Sequence, residues 1–198
     1  MCIRDSPETR KTTRQELGIQ ENETLLVFTG SNFGPNRSAL TRLLEFCAQE
    51  RDALIEKQVK IVVVGTVGTA SDADAAQELN QARIYQTGFV DSIQPYLAAA
   101  DYALNPVFEG SGANVKNSEY IASMLPILTQ DFGTRGFQLE DKTSCFLFNF
   151  DNLVDCLSDA VQLSADGRRA MADRAFSDNE ADISMRAAVE NYLADHTR

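Results

Sequence analysis

Short, continuously apolar segments alternate with helical ones along this chain, and that alternation constrains the fold more than any other feature. Thr24–Gly30 and Lys60–Thr66 are the clearest apolar segments, both rich in β-branched residues and both reaching a glycine. Such runs are too short for buried helices and are typical of strands. Because a strand that is apolar along its whole length needs cover on both faces, we predict an α/β fold with a doubly wound parallel sheet.

The rest of the chain continues this alternation and then becomes helical. Further strands are predicted over residues 83–90, 101–107, 126–130 and 144–149. Helices are predicted over residues 13–17, 36–57, 71–82, 92–100, from 114 onward, 152–163, 166–176 and 180–194. We assign residues 7–165 to one Rossmann-like domain and 166–198 to a helical C-terminal tail. The polar opening, residues 1–6, fits nothing that follows and is interpreted as a non-native leader.

The charge of the chain excludes several classes of partner. Its 198 residues carry a net charge of −11 and a sequence pI of about 4.5. A surface for nucleic acid or anionic lipid needs clustered cations, so we predict no nucleic-acid partner. The longest apolar runs fall well short of the ~20 residues that span a bilayer, which predicts no transmembrane segment.

Cysteine and histidine usage argues against disulfides and against a metal site. No two of the four cysteines have CxxC spacing, so we interpret them as reduced thiols of a cytoplasmic protein. His196 is the one histidine and lies close to the C-terminus. This predicts neither a zinc site nor a histidine-based catalytic triad.

Ligands of doubly wound sheets bind at the carboxyl ends of the strands. This rule directs attention to three loops, those after Gly30 and after Gly88, and Val107–Asn114. The third loop carries the most chemistry, because two glycines in it are followed by a lysine and a glutamate.

Gly110 and Gly112 flank Ser111 in this third loop. Neither glycine has a Cβ to block a ligand, and both can adopt backbone angles that other residues avoid. We expect the next helix to begin near residue 113 or 114, so that its first N–H groups and the Lys116 ammonium favour an anion. Glu119 lies on about the same helical face and can accept from two vicinal hydroxyls. A site for phosphate beside a site for a diol is what a nucleotide with its ribose requires, so we predict a bound nucleotide.

Other interpretations of this loop remain open. The glycines could form a plain strand-to-helix turn, with Lys116 and Glu119 as a solvated ion pair. A P-loop is disfavoured because Val115, not glycine, precedes the lysine. A dinucleotide fingerprint is disfavoured because the first strand is followed by GSNFG rather than GxGxxG.

The stretch from Gly88 to Phe137 also carries a family pattern. It reads G-x-G-x-x-x-K-x-x-E before a helix, followed by the apolar strand PILT. This stretch resembles the donor-binding half of a GT-B glycosyltransferase of the retaining, GT4-like group, the glycosyl transferases group 1. The resemblance extends over about Gln15–Phe137 and implies a Rossmann-like half of a GT-B fold.

The resemblance implies how a nucleotide-sugar donor would be held. Lys116 and the loop of Gly110, Ser111 and Gly112 would hold its diphosphate. Glu119 would bind the ribose hydroxyls.

The resemblance also implies where the remaining parts of the donor lie. Gly30 would let the first loop approach the phosphates. Gly88, Phe89 and Val90 would line the base, largely through their backbone. Glu109 lies where the donor sugar is expected, and with Lys116 it is the implied catalytic residue.

The chain departs from the family pattern at several positions. Glu109 and Glu119 are ten residues apart, whereas the commoner pattern spaces two glutamates by eight. Arg37 is the one cationic residue in the stretch SNFGPNRS after the first strand, where many relatives have an arginine and a lysine that bind phosphate. Met124 replaces a glycine, which implies a modified helix end. Arg135 could reach the site, although we expect a surface or capping role for it.

The implied reaction is transfer of a sugar from a nucleoside-diphosphate sugar to an acceptor hydroxyl, without a metal or other cofactor. A sugar, lipid-linked or polysaccharide acceptor would bind a missing N-terminal domain, and residues 166–198 would pack back towards it. The chain is therefore expected to be a fragment with little activity of its own. A cytoplasmic location is implied, with peripheral contact to the inner membrane through the missing domain.

Three alternatives come from other classes. One is a non-catalytic nucleotide-binding module, which would share this fold and this loop. Another is a nucleotide-sugar epimerase of GT-B shape, although the additional acid and base groups for that chemistry are not evident. The third, an NAD(P)-dependent oxidoreductase, is disfavoured by the missing fingerprint.

Overall fold

The computed structural model describes residues 7–68, 83–111 and 114–196. Its six strands are β1 (Thr24–Thr29), β2 (Val59–Val64), β3 (Ile84–Gln86), β4 (Tyr102–Asn105), β5 (Ile127–Thr129) and β6 (Phe146–Leu147). They form one sheet in the order β3-β2-β1-β4-β5-β6, and every neighbouring pair is parallel. The predicted leader, the predicted helix over residues 71–82 and Gly112 lie outside the described residues.

The strand order places the switch point of the sheet between β1 and β4. From β1 the chain builds outward through β2 to β3, and then returns to pair β4 on the other side of β1. The crossover loops on the two sides of this point therefore diverge and leave a crevice at the carboxyl ends of the strands. The predicted doubly wound α/β fold is confirmed.

The described helices cover both faces of this sheet. They are α1 (Pro7–Glu16), α2 (Gly34–Gln49), α3 (Arg51–Glu56), α4 (Gln94–Ala99), α5 (Lys116–Ala122), α6 (Leu153–Gln162) and α7 (Ala165–His196). A short 3₁₀ helix, Asp131–Thr134, follows β5. None of these helices is both long enough and apolar enough to cross a membrane.

Side chains of β1 alternate between two buried apolar layers. Leu26 and Phe28 belong to the layer that α2, α3 and α6 cover, whereas Leu25 and Val27 belong to the layer of α4 and α5. Residues of α7 enter both layers. Each layer removes apolar surface from water at about 25 cal/mol per Å², which explains why the strands are apolar throughout.

Two predicted helix boundaries are wrong. One continuous helix was predicted over residues 36–57. The structure has two helices there, α2 and α3, separated by the non-helical residue Glu50 (φ −102°, ψ 22°). Beyond the break Leu54 is buried and Ile55 is 44% exposed. The first helix begins at Pro7 rather than Thr13, because its arginines bind the far end of α4.

The anchor of α1 is an arginine pair around Asp101. Arg10 donates to the Ala99 carbonyl (2.7 Å) and to the Asp101 carboxylate (2.6 Å). Arg14 reaches the second oxygen of the same carboxylate at 3.1 Å. That oxygen also accepts from the Leu25 N–H at 2.9 Å. Asp101 therefore ties α1 to the amino edge of the sheet, opposite the crevice.

The predicted break between residues 176 and 180 is absent, and α7 continues through it. Asn179 is 1% exposed, and its side-chain amide donates to the carbonyls of Ala175 (2.8 Å) and Gln138 (3.0 Å). Its side-chain oxygen accepts from the Gln138 N–H at 2.7 Å. An asparagine that would favour a turn in isolation is thus satisfied inside the helix, which clamps α7 to the domain.

Met124 occupies the left-handed position that ends α5. Its φ is +54°, and the Leu125 N–H donates to the Tyr120 carbonyl at 3.1 Å. This is the geometry that glycine usually supplies at a helix C-terminus. The predicted modification of the helix end is therefore wrong: the turn is kept, and methionine adopts it at a conformational cost.

Substitution of Met124 measures that cost. Met124→Gly and Met124→Ala both remove the side chain, but only glycine adopts positive φ without strain. We expect the glycine variant to be more stable than the alanine variant by about 1 kcal/mol in urea unfolding. Equal stability of the two variants would contradict the assigned backbone geometry.

Candidate functional site

The crevice at the carboxyl ends of the strands holds a cavity of about 620 Å³. Loops after five strands, β1 to β5, form its walls. Its lining residues are Thr29, Gly30, Ser31, Phe33, Pro35, Asn36, Val64, Gly65, Thr66, Phe89, Val90, Ile93, Val107, Glu109, Gly110, Ser111, Asn114, Val115, Lys116, Glu119, Phe132 and Arg135. This volume suits a ligand of nucleotide size, since small-molecule sites typically measure ~300–1,000 Å³.

Glycine backbone forms the floor of the cavity. The register of β1 with β2 brings Gly30 level with Gly65, whose φ is +105°. The Gly65 N–H donates to the Gly88 carbonyl at 3.0 Å, so the loops after β1, β2 and β3 lie against one another. A Cβ on Gly65 would meet the Gly30 carbonyl oxygen at 2.5 Å. Only glycine fits this position.

Buried hydrogen bonds fix α5 against the sheet. The Tyr120 hydroxyl is fully buried and accepts from the Thr29 N–H at 2.9 Å, beside the Thr29 hydroxyl at 3.0 Å. Burial raises the pKa of Tyr120, so the hydroxyl stays protonated. On the other side, Asn117 accepts from the Asn105 side-chain amide (3.0 Å) and donates to the Gly133 carbonyl (2.8 Å). The helix that carries Lys116 is therefore held rigidly over the ends of β1, β4 and β5.

Lys116 is a half-buried cation on the cavity wall. Its Nζ donates to the Asn36 side-chain oxygen at 2.7 Å and lies 5.0 Å from the centroid of the Phe28 ring. Burial lowers the pKa of Lys116 from 10.5 to about 8, and the neighbouring Glu119 opposes that shift. An ammonium whose water has been partly replaced by an aromatic face binds an arriving anion more strongly than a solvated one does.

The amino end of α5 contributes less than the sequence predicts. The helix begins at Lys116 and has seven residues, whereas a start near residue 113 or 114 was expected. The N–H groups of Asn117 and Ser118 already donate to the carbonyls of Asn114 (2.9 Å) and Val115 (3.0 Å). Because a tight first turn uses these donors, the charged side chain carries more of the site's positive potential than the helix dipole.

Most of the sequence-predicted site residues line this one cavity. Those brought together are Gly30, Phe89, Val90, Glu109, Gly110, Ser111, Lys116 and Glu119. Gly88 supports the floor through its carbonyl rather than lining the cavity. Gly110 has φ +120°, and a Cβ there would meet the Pro35 ring at 3.0 Å, so its glycine is required by the fold as well.

Both candidate carboxylates lie on exposed parts of the wall. Glu109 and Glu119 are solvent-exposed and line the same cavity as Lys116. Within the described ranges, no group of three or more His, Cys, Asp or Glu side chains is arranged to hold a metal ion.

Sequence reasoning missed several residues of the site. Asn36 positions Lys116, and Gly65 with Thr66 opens a fourth loop that the sequence analysis had not selected. Arg37 is exposed and lies outside the cavity lining, whereas Arg135 lines it. Asn36 and Gly65 could have been selected from the sequence, because each lies at or just after the carboxyl end of a predicted strand, where ligands bind.

Comparison with known families identifies what this arrangement belongs to. The family model Glycosyl transferases group 1 matches residues 23–166, more than half of the chain. The chain belongs to this family. That membership confirms the resemblance to a group 1 glycosyltransferase, and the matched span includes the described cavity lining.

WaaG is similar to this chain both in sequence and in fold. Lipopolysaccharide glucosyltransferase WaaG of Escherichia coli K12 is 28% identical over 123 residues, 62% of this chain and 32% of WaaG. The WaaG crystal structure matches with a TM-score of 0.65 at 24% identity, covering 90% of this chain and 51% of that chain.

Two further structures share the fold. Anabaena Alr3699/HepE, solved with UDP and glucose, has a TM-score of 0.67 at 19% identity, covering 97% of this chain and 52% of that one. The C-terminal domain of LpcC, a group 1 protein from Francisella tularensis, has a TM-score of 0.64 at 17% identity. The match covers 88% of this chain and 92% of the LpcC domain. The chain spans about half the length of the WaaG and HepE structures.

Proposed function

We propose that this chain is the donor-binding half of a glycosyltransferase and binds a nucleoside-diphosphate sugar in the cavity between β1 and β4. The observation that carries this proposal is Lys116, a half-buried ammonium that faces a nucleotide-sized cavity with a carboxylate one turn along the same helix. Family membership supports it, and so does HepE, whose structure holds UDP and glucose.

In the proposed complex the donor diphosphate lies against Lys116 and the Gly110–Ser111 backbone. The ribose hydroxyls lie on Glu119, and the base lies beside Phe89 and Val90. This arrangement gives an anionic partner to the Lys116 ammonium, which burial partly deprives of water.

The proposed reaction breaks the bond between the anomeric carbon and the β-phosphate oxygen, whose electron pair stays on the phosphate. The acceptor oxygen bonds to the same carbon, and its proton passes to the departing phosphate oxygen. Lys116 stabilises the negative charge that develops on the leaving diphosphate, the type of contact that most lowers such barriers. Glu109 would face the donor sugar.

Retention of the anomeric configuration and independence of metal ions are part of the proposal. The family resemblance supports retention. The positive charge that Lys116 supplies to the diphosphate supports independence of metal ions. If the proposal holds, a chelator such as EDTA leaves nucleotide-sugar affinity unchanged.

The acceptor is proposed to bind a second half that relatives of about twice this length contain. The chain would then act as a hexosyltransferase in the cytoplasm, with a sugar, lipid-linked or polysaccharide acceptor. A non-catalytic nucleotide-binding module would share the donor site but release no nucleoside diphosphate when joined to an acceptor-binding half.

Calorimetry with a panel of UDP-, GDP- and ADP-glucose tests the donor site. We expect saturable binding of one nucleotide sugar in preference to NADH. The control is Lys11→Met, which removes an exposed lysine of α1 and should leave binding unchanged. Preference for NADH, or no binding of any sugar nucleotide, would contradict the proposal.

A further inference from the structure

The cavity lining includes a second cation, Arg135, which is solvent-exposed; a surface or capping role was expected for it from the sequence. Lys116 and Arg135 are the cationic side chains among its described lining residues. The Arg135 Cζ lies 3.5 Å from the centroid of the Phe132 ring, which lines the same cavity. Within the described part of the chain the guanidinium makes no hydrogen bond or ion pair with protein, so its donors can serve a ligand.

The backbone around Arg135 is fixed to the start of α5. The Arg135 carbonyl accepts from the Asn114 N–H at 3.2 Å. Two residues earlier, the Gly133 carbonyl accepts from the buried Asn117 amide at 2.8 Å. The loop that carries Arg135 and the helix that carries Lys116 therefore form one rigid unit, and stacking on Phe132 limits the freedom of the guanidinium before any ligand arrives.

Strand order gives Arg135 a defined side of the cavity. Phe89 and Val90 follow β3 at one side of the sheet, Lys116 follows β4, and Arg135 follows β5. Neighbouring strands are ~4.8 Å apart, so Arg135 lies beyond Lys116 as seen from the β3 loop. A donor whose base lies at the β3 loop would extend its sugar-side phosphate towards Arg135.

We propose that Arg135 binds the β-phosphate of the donor, the phosphate joined to the sugar, and forms with Lys116 a two-cation clamp on the diphosphate. This inference rests on the function proposed above. A guanidinium can donate two parallel hydrogen bonds to phosphate oxygens, which an ammonium cannot. Arg37, which follows the first strand, lies outside the cavity lining. Arg135, from the loop after β5, would supply the second cation instead.

The test compares nucleoside monophosphates with diphosphates, because only the diphosphates carry a β-phosphate. Calorimetry would measure UMP and UDP, GMP and GDP, and AMP and ADP on the unsubstituted chain, Arg135→Gln and Arg135→Lys. For the pair that binds, we expect Arg135→Gln to weaken diphosphate binding about 10-fold or more and monophosphate binding less than about twofold. Arg135→Lys should lie in between, because it keeps the charge and loses the fork.

Arg37→Gln is the matched control, since it removes an exposed arginine outside the cavity lining and should change neither affinity. Equal weakening of the mono- and diphosphate by Arg135→Gln, or no weakening of either, would overturn the assignment of Arg135. If the unsubstituted chain binds no diphosphate at all, the proposed function itself fails, which is a different result from a failure confined to the Arg135 variants.

Discussion

Lys116→Met is expected to weaken binding of the preferred nucleotide sugar by about 100-fold. The substitution keeps a side chain of similar length over the Phe28 ring and removes the ammonium that would contact the diphosphate. A charge-assisted hydrogen bond is worth about 1.5–3 kcal/mol net, and the low polarity around Nζ favours the upper end. Lys11→Met makes the same chemical change on an exposed helix and is the control.

The pH dependence of binding makes this expectation more specific. In the free protein burial lowers the pKa of Lys116 to about 8, and a bound diphosphate, which favours the charged form, must raise it. Affinity should therefore fall as pH rises through about 8, because the free protein then has to take up a proton to bind. Calorimetry from about pH 6.5 to about pH 9.5 should show this fall in the unsubstituted chain and not in Lys116→Met.

Stability provides an independent check on the same residue. The folded-state pKa of Lys116 is depressed below its ordinary 10.5, so between about pH 8 and about pH 10.5 the unfolded chain binds more protons than the folded one. The ligand-free protein gains stability from this group as pH rises through that window. Lys116→Met should lose this gain and should be no less stable than the unsubstituted chain near neutral pH. Marked destabilisation by the substitution would mean that the lysine has a structural role instead.

Gly65→Ala is expected to destabilise the fold by about 3 kcal/mol. Alanine strongly disfavours φ +105°, and its Cβ would lie 2.5 Å from the Gly30 carbonyl oxygen, which β1 holds in register. Relief of that contact has to separate the loops after β1 and β2, which form the cavity floor. Urea unfolding would measure the loss of stability, and nucleotide-sugar affinity should fall in parallel.

Gly34→Ala is the control for that substitution. Gly34 opens α2 at the rim of the same cavity, its φ is not positive, and a Cβ there meets nothing within 4 Å apart from its chain neighbours. Alanine at this position should change stability by less than about 1 kcal/mol, because the gain from replacing a helical glycine is opposed by the restriction that Pro35 places on the residue before it. Similar losses from Gly65→Ala and Gly34→Ala would contradict the account of the cavity floor.

The fold could be predicted from the sequence because its strands are apolar on both faces and each is bounded by a turn signal. The errors lie where a distant contact decides. Asn179 carries α7 through an expected break by binding Gln138, and Arg10 extends α1 by binding Ala99 and Asp101. No local pattern reports such partners, because each is more than 40 residues away in sequence.

The candidate site divides in the same way. Lys116 and Glu119 were found because strand, glycine loop, lysine and glutamate stand in order along the chain. Asn36, Gly65 and Arg135 come from three other segments of the chain, and only the strand order and register bring them to the same cavity. Their roles depend on distances across the sheet, which sequence spacing does not contain.

A crystal structure of the chain with its preferred nucleotide sugar would show directly where the diphosphate lies. We expect the pyrophosphate in the cavity between β1 and β4, with a phosphate oxygen within about 3 Å of Lys116 Nζ and the ribose hydroxyls on Glu119. A nucleotide bound outside this cavity, or bound inside it with its phosphates turned to solvent away from Lys116, would rule out the proposed donor site.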